Sequence, residues 1–245
     1  MKHYLVTQWN CDLYDLGWLQ RRKKVFERFT LPSVQAQSNK NFEWILVSDF
    51  RTPDEFKQIL NSYGATVIYH DFENHKWKIE PGSNETRLER SVRLETIGEV
   101  IADYIGKQDT DYVITSRLDN DDCIAFDYIE NVQKYSKAFW EESKDKFWLS
   151  LVRGYKWNED SVYPHNTKWN SFLSFIEPTG SLETAYQCCH TQAGDSGYPV
   201  HIMRQGVNPS WLEVVHGENV MNRLKRVRGK RPAKEEQARF NFKND

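Results

Sequence analysis

The chain has 245 residues, 39% hydrophobic and 28% charged, which is enough for one large domain or two small ones. Its 33 Lys+Arg nearly balance 35 Asp+Glu, so no global positive field gathers nucleic acid, and any anion must be held by a local site. No uncharged apolar stretch approaches the roughly 20 residues of a spanning helix, and the N-terminal apolar run falls short of the about 7–15-residue core of a signal peptide. Cys11, Cys123, Cys188 and Cys189 have neither zinc-ribbon nor redox-pair spacing, which fits a reducing cytoplasm.

In chain order, Tyr4-Leu5-Val6-Thr7 reads as a first strand. Residues Trp18 to Phe29 follow as a helix with Trp18, Leu19, Val25, Phe26 and Phe29 largely on one face, leaving the basic run Arg21 to Lys24 toward water. Pro32 marks a helix boundary or restart. Phe42 to Asp49 is the clearest strand, apolar through its middle and polar at its end. A helix over Pro53 to Leu60, a short strand over Ala65 to Tyr69, and a long amphipathic helix over Leu88 to Ile105 come next. Asp111 to Leu118 is another buried-type strand, and it runs directly into Asp119-Asn120-Asp121-Asp122.

This alternation predicts an α/β fold of Rossmann type, a mixed sheet flanked by helices. Ligands of such sheets bind beyond the carboxyl ends of the strands, where both Asp49 and the acidic cluster arrive. Three carboxylates within four residues repel one another unless a cation or hydrogen-bond donors balance them. A divalent cation is one solution; an Asx-rich turn capping the next helix is the other.

The strand followed by Arg117-Leu118-Asp119-Asn120-Asp121-Asp122 resembles the DXD motif of GT-A glycosyltransferases, in the form seen in a rhamnosyltransferase group related to glycosyltransferase family 2. Leu31 to Gln37 and Phe42 to Asp49 are similar to that group's first helix and second strand, and Trp211-Leu212-Glu213-Val214-Val215-His216-Gly217 resembles its C-terminal segment. The resemblance implies a GT-A fold and Mn²⁺ or Mg²⁺ held by Asp119, Asp121 and His216 against the diphosphate of a nucleotide-sugar, with Asp119 also able to reach the ribose and Asp122 behind them. A His ligand beside two carboxylates suits Mn²⁺ somewhat better. Thr7 and Asp49 stand where GT-A folds contact base and ribose, and Arg90, with Arg93 beside it, is a partner for diphosphate or base.

Transfer at an anomeric carbon with inversion also needs a carboxylate to take the acceptor proton. Glu177, ending the apolar stretch Phe172 to Ile176, and Asp195, in a Gly-flanked loop, qualify by position, and each also fits a turn role. The expected organisation is a single domain over 1–245: a nucleotide-sugar-binding half over 1–122, an acceptor-binding half over 123–222, and a basic C-terminal tail over 223–245. That tail is a candidate for peripheral membrane contact beside a glycan or lipid-linked saccharide acceptor; a solvated charged tail is the other reading. A metal-dependent nucleotidyl- or phosphotransferase, or a non-catalytic carbohydrate-binding protein, would use the same crevice.

Overall fold

The structure is a computed structural model describing residues 1–11, 13–72, 87–158, 161–180, 182–216 and 231–243, with side chains left out at 87–92, 231–235 and 237. The elements are β1 (Lys2–Asn10), α1 (Leu16–Arg28), α2 (Thr30–Gln35), β2 (Glu43–Asp49), α3 (Asp54–Asn61), β3 (Thr66–His70), α4 (Arg87–Ile105), β4 (Tyr112–Arg117) and β5 (Cys123–Ile124). They continue with α5 (Tyr128–Ser143), β6 (Phe147–Leu151), β7 (Arg153–Asn158), β8 (Ser161–Asn166), β9 (Ser174–Pro178), a 3₁₀ turn over His190–Asp195, β10 (Val200–Met203), β11 (Trp211–Val214), β12 (Arg231–Pro232) and α6 (Ala233–Phe240).

A seven-stranded mixed sheet runs in the order β10-β6-β9-β4-β1-β2-β3. β1, β2, β3 and β4 are parallel neighbours, and β9 enters antiparallel between β4 and β6. The central strands are apolar on both faces because helices cover both. Leu5, Trp9, Trp44, Leu46 and Ile114 form one layer with Phe26 of α1 and Ile129 and Val132 of α5. Tyr4, Val6, Ile45, Val47 and Val113 form the other with Leu94, Ile97, Ile101 and Ile105 of α4. These alternate positions are the period-two signature of a strand buried on both sides.

Beside this sheet the chain builds a second, five-stranded one, in the order β12-β8-β7-β11-β5. It matters for the site because β5, immediately after the acidic cluster, pairs antiparallel with β11, Leu212 opposite Cys123 and Trp211 opposite Ile124. The segment read as a basic tail is, over its described residues 231–243, part of this layer. β12 pairs with β8, and Phe240 and Phe242 are buried against Phe29, Tyr155 and Trp157. Burying two Phe side chains fixes an end that its charges alone would leave in water.

Candidate active site

The acidic cluster sits in the turn that leaves the carboxyl end of β4. The amide of Leu118 donates to Val6 O (2.9 Å), and Asn120 Nδ2 donates to Trp9 O, so the turn is stitched to β1. Asp122 is buried, and its Oδ1 accepts from Val214 N at 2.8 Å. The β5–β11 pairing thus continues backward through a side chain. Burial, and then repulsion from Asp121, Asp119 and Glu213, push the Asp122 carboxyl well above its ordinary value.

That pairing also delivers His216. Two residues beyond β11, its position is fixed by Val215 N donating to Trp157 O at 2.9 Å, and its Nε2 lies 2.9 Å from Asp121 Oδ2. Arg22 reaches the same oxygen from α1, with Nη1 at 2.7 Å from Asp121 Oδ2 and 3.0 Å from Asn120 Oδ1. Burial works to raise the Asp121 carboxyl, but the His216 hydrogen bond and the Arg22 charge outweigh it and hold the group below its usual value. Asp119 goes the other way, to about 6, because burial and the charge of Asp121 together exceed the help from Arg117 and Arg93.

Three arginines therefore surround the acids. Arg117, at the end of β4, is 6% exposed, stacks over Tyr186 at 4.7 Å and donates to Cys188 O, while its Nε has no hydrogen-bond partner among the described residues. Arg93 of α4 donates to Gln8 Oε1 at 2.6 Å. Arg22 is 8% exposed, against the expectation that its basic run faces water. It lies three residues after Leu19 and four before Phe26, on the border of the apolar face, and that spacing was the available signal.

The structure brings Asp121 and His216 together, with Asp119 close enough to be repelled, but other expected residues stand elsewhere. Thr7 is mid-strand, since β1 runs on to Asn10; it is fully buried, and its Oγ1 accepts from Trp44 Nε1 at 3.1 Å in the core. The strand end is held by Asn10, which bonds Ser48 and Thr52. Asp49 does end β2, with its carboxylate clasped by Arg51 (Nε to Oδ1 2.9 Å, Nη2 to Oδ2 2.7 Å). Arg51 lies over Tyr14 at 4.6 Å, and Tyr14 and Phe50 are exposed beside it. The Arg90 side chain lies outside the described residues.

Glu177 is at the wrong end of the sheet for the proton-accepting role. β9 is antiparallel, so Glu177 pairs with Val113 at the start of β4, five residues of strand away from the acidic turn. It is fully buried and accepts from the amides of Glu183 (2.8 Å) and Thr184 (2.9 Å), with Lys146 Nζ at 3.9 Å. Burial lifts it to about 7 despite those bonds. It is a structural lock on the 183–184 turn. Asp195 is exposed at the end of the 3₁₀ turn, in a segment whose earlier residue Cys188 is tied to Arg117.

Comparison with known proteins decides the family. A model described as "Putative rhamnosyl transferase" matches residues 3–228. The chain belongs to this rhamnosyl transferase family. No curated relative matches it. Among solved structures it is similar to residues 1–349 of Staphylococcus aureus TarS, at 15% identity and a TM-score of 0.43, over 87% of this chain and 60% of that one. It is also similar to the Francisella tularensis 2-C-methyl-D-erythritol 4-phosphate cytidylyltransferase, at 11% identity and a TM-score of 0.38, over 84% and 92%. The mannosyltransferase Ktr4p of S. cerevisiae matches at 14% and 0.32, over 63% and 40%. The chain thus spans about 60% of the TarS fragment it resembles.

Proposed function

We propose that this protein is a metal-dependent, inverting glycosyltransferase of GT-A type that moves a sugar, rhamnose first, from a nucleoside-diphosphate donor to a hydroxyl of a glycan or lipid-linked saccharide. The observation that carries the reading is the meeting of Asp121 and His216, 95 residues apart in sequence, at 2.9 Å beyond the carboxyl end of β4. Two neighbouring ligands, each about 2.1 Å from one ion, lie roughly 3 Å apart, so this pair has the spacing of a shared cation. Among the described residues no three His, Cys, Asp or Glu side chains converge as a metal set. Two protein ligands nevertheless suffice where substrate phosphates and water complete the shell, and the histidine favours Mn²⁺ over Mg²⁺. When bound, the cation neutralises charge that builds on the departing diphosphate.

The protein groups divide the remaining work. Arg117 and Arg93, flanking Asp119, offer fixed positive charge to the diphosphate, and Arg117 has donor capacity to spare. The Asp49–Arg51 pair with exposed Tyr14 and Phe50 supplies polar and stacking contacts to base and ribose. Asp195, exposed at the end of the 3₁₀ turn, is the base for the acceptor hydroxyl. The spacing of Cys11, Cys123, Cys188 and Cys189 agrees with a cytoplasmic setting, and among the described residues no helix is long and apolar enough to cross a membrane. The peripheral membrane contact assigned to the basic tail falls mainly on residues 223–230, outside the described set.

The test is product analysis with a panel of nucleotide-sugars, Mn²⁺ or Mg²⁺, and an acceptor glycan mixture. Release of nucleoside diphosphate with a glycosylated acceptor, dependent on the cation and on Asp195, is expected. Release of nucleoside monophosphate or pyrophosphate would instead mean a nucleotidyl- or phosphotransferase. Glycan binding without turnover would mean a carbohydrate-binding protein.

A further inference from the structure

Arg22 presents an unusual arrangement for a residue in an exposed-looking basic run. Its guanidinium is buried and lies over the Trp18 ring at 5.1 Å. Nη1 alone bonds Asp121 Oδ2 and Asn120 Oδ1, and Nε has no hydrogen-bond partner among the described residues. A buried donor left idle is costly, so Arg22 is held here without its full set of partners. The oxygen it holds is also the one His216 approaches. A cation bound between Asp121 and His216 would share that oxygen with a guanidinium 2.7 Å away, and two positive charges at such range repel strongly.

We propose that Arg22 is the resident counter-charge of Asp121, a placeholder that a divalent cation must displace. The inference rests on the reading of Asp121 and His216 as cation ligands, and adds to it a residue that sets how readily the site loads. Without metal, Arg22 neutralises Asp121 and keeps the acidic turn closed against α1, so the turn needs no ion to stay folded. Were a cation held there, the guanidinium would give up Oδ2, and the donors so freed would be available to an anionic diphosphate. Arg22 is in this sense a positioning residue acting on the cation through Asp121.

The experiment is calorimetric titration of the full chain with MnCl₂ alone, in parent, Arg22→Met, Arg22→Lys and His216→Ala proteins, with thermal unfolding in chelator alongside. Removing the competing charge is expected to tighten Mn²⁺ binding about tenfold in Arg22→Met, while lowering its melting temperature in chelator. Arg22→Lys keeps a charge and is expected to stay within about threefold of parent in Mn²⁺ affinity, which also guards against loss of folding in the Met variant. Equal or weaker Mn²⁺ binding in Arg22→Met, with binding still abolished by His216→Ala, would overturn the placeholder role and leave the metal centre standing. No Mn²⁺ binding in any folded variant would overturn both.

Discussion

The protein buries carboxylates at both ends of β4, and the two are held in opposite ways. At the amino end, Glu177 accepts two backbone amides and is sealed in the sheet. At the carboxyl end, Asp121 is held by side chains, His216 and Arg22, that arrive from other elements. Backbone donors cannot leave without unfolding a turn, whereas side-chain donors can rotate away. The first arrangement is architecture; the second can exchange partners with a ligand.

Several substitutions would break or sharpen this contrast. The largest effect is expected from Asp121→Asn, which keeps shape and removes charge: transfer should fall about a hundred- to a thousandfold, as when one charge-stabilising group is lost from an active site, with the unfolding temperature lowered no further than in Arg22→Met, which breaks the same pair. Steady-state assay and calorimetry on the same preparation check both halves. Glu177→Ala should show the reverse. It strands two buried amides, which costs about 2–5 kcal/mol, while kcat per folded molecule stays near parent; a large fall in kcat at full folding would return Glu177 to the chemistry.

A smaller effect tests the second sheet's part in placing His216. A Cβ on Gly154 would stand 2.2 Å from the Trp211 ring, on the strand opposite β11. Gly154→Ala should therefore cost about 1–3 kcal/mol by overpacking and lower activity through displaced His216, readable by denaturant unfolding and assay below the transition. The mildest effect is on pH dependence. His3 is buried against Ser116 and Gln133, and burial lowers it to about 3. The unfolded chain binds a proton near pH 6.5 that the folded chain refuses, so stability is full above that pH. It falls by up to about 1.4 kcal/mol per unit as pH drops from about 6.5 toward 3. His3→Gln should flatten this slope in unfolding curves taken across that window.

The first half was legible because parallel strands covered on both faces read as continuous apolar runs, so the strands ending at Asp49 and Arg117 could be placed to within a residue or two. Asp121 and His216 were legible through family resemblance, and their meeting through β5–β11 pairing was not, because a two-residue strand leaves no periodic signal. Thr7 was misplaced because polar Gln8 disguised three further residues of β1. Glu177 was misplaced because an apolar run does not declare its direction, and an antiparallel insertion sends its last residue to the far end of the sheet. Arg22 was hidden by its charged neighbours, although its helical phase put it beside Leu19 and Phe26.

The central claim is that Asp121 and His216 hold a cation against a nucleotide diphosphate. Thermal unfolding of parent and Asp121→Asn protein with a panel of nucleoside diphosphates and nucleotide-sugars, each with Mn²⁺, Mg²⁺ or chelator, tests it most directly, because a ligand that binds only the folded state raises the melting temperature. The account predicts stabilisation by one nucleotide that needs the metal and vanishes in the mutant. No stabilisation by any nucleotide with metal present, or equal stabilisation in chelator and in Asp121→Asn, would contradict it.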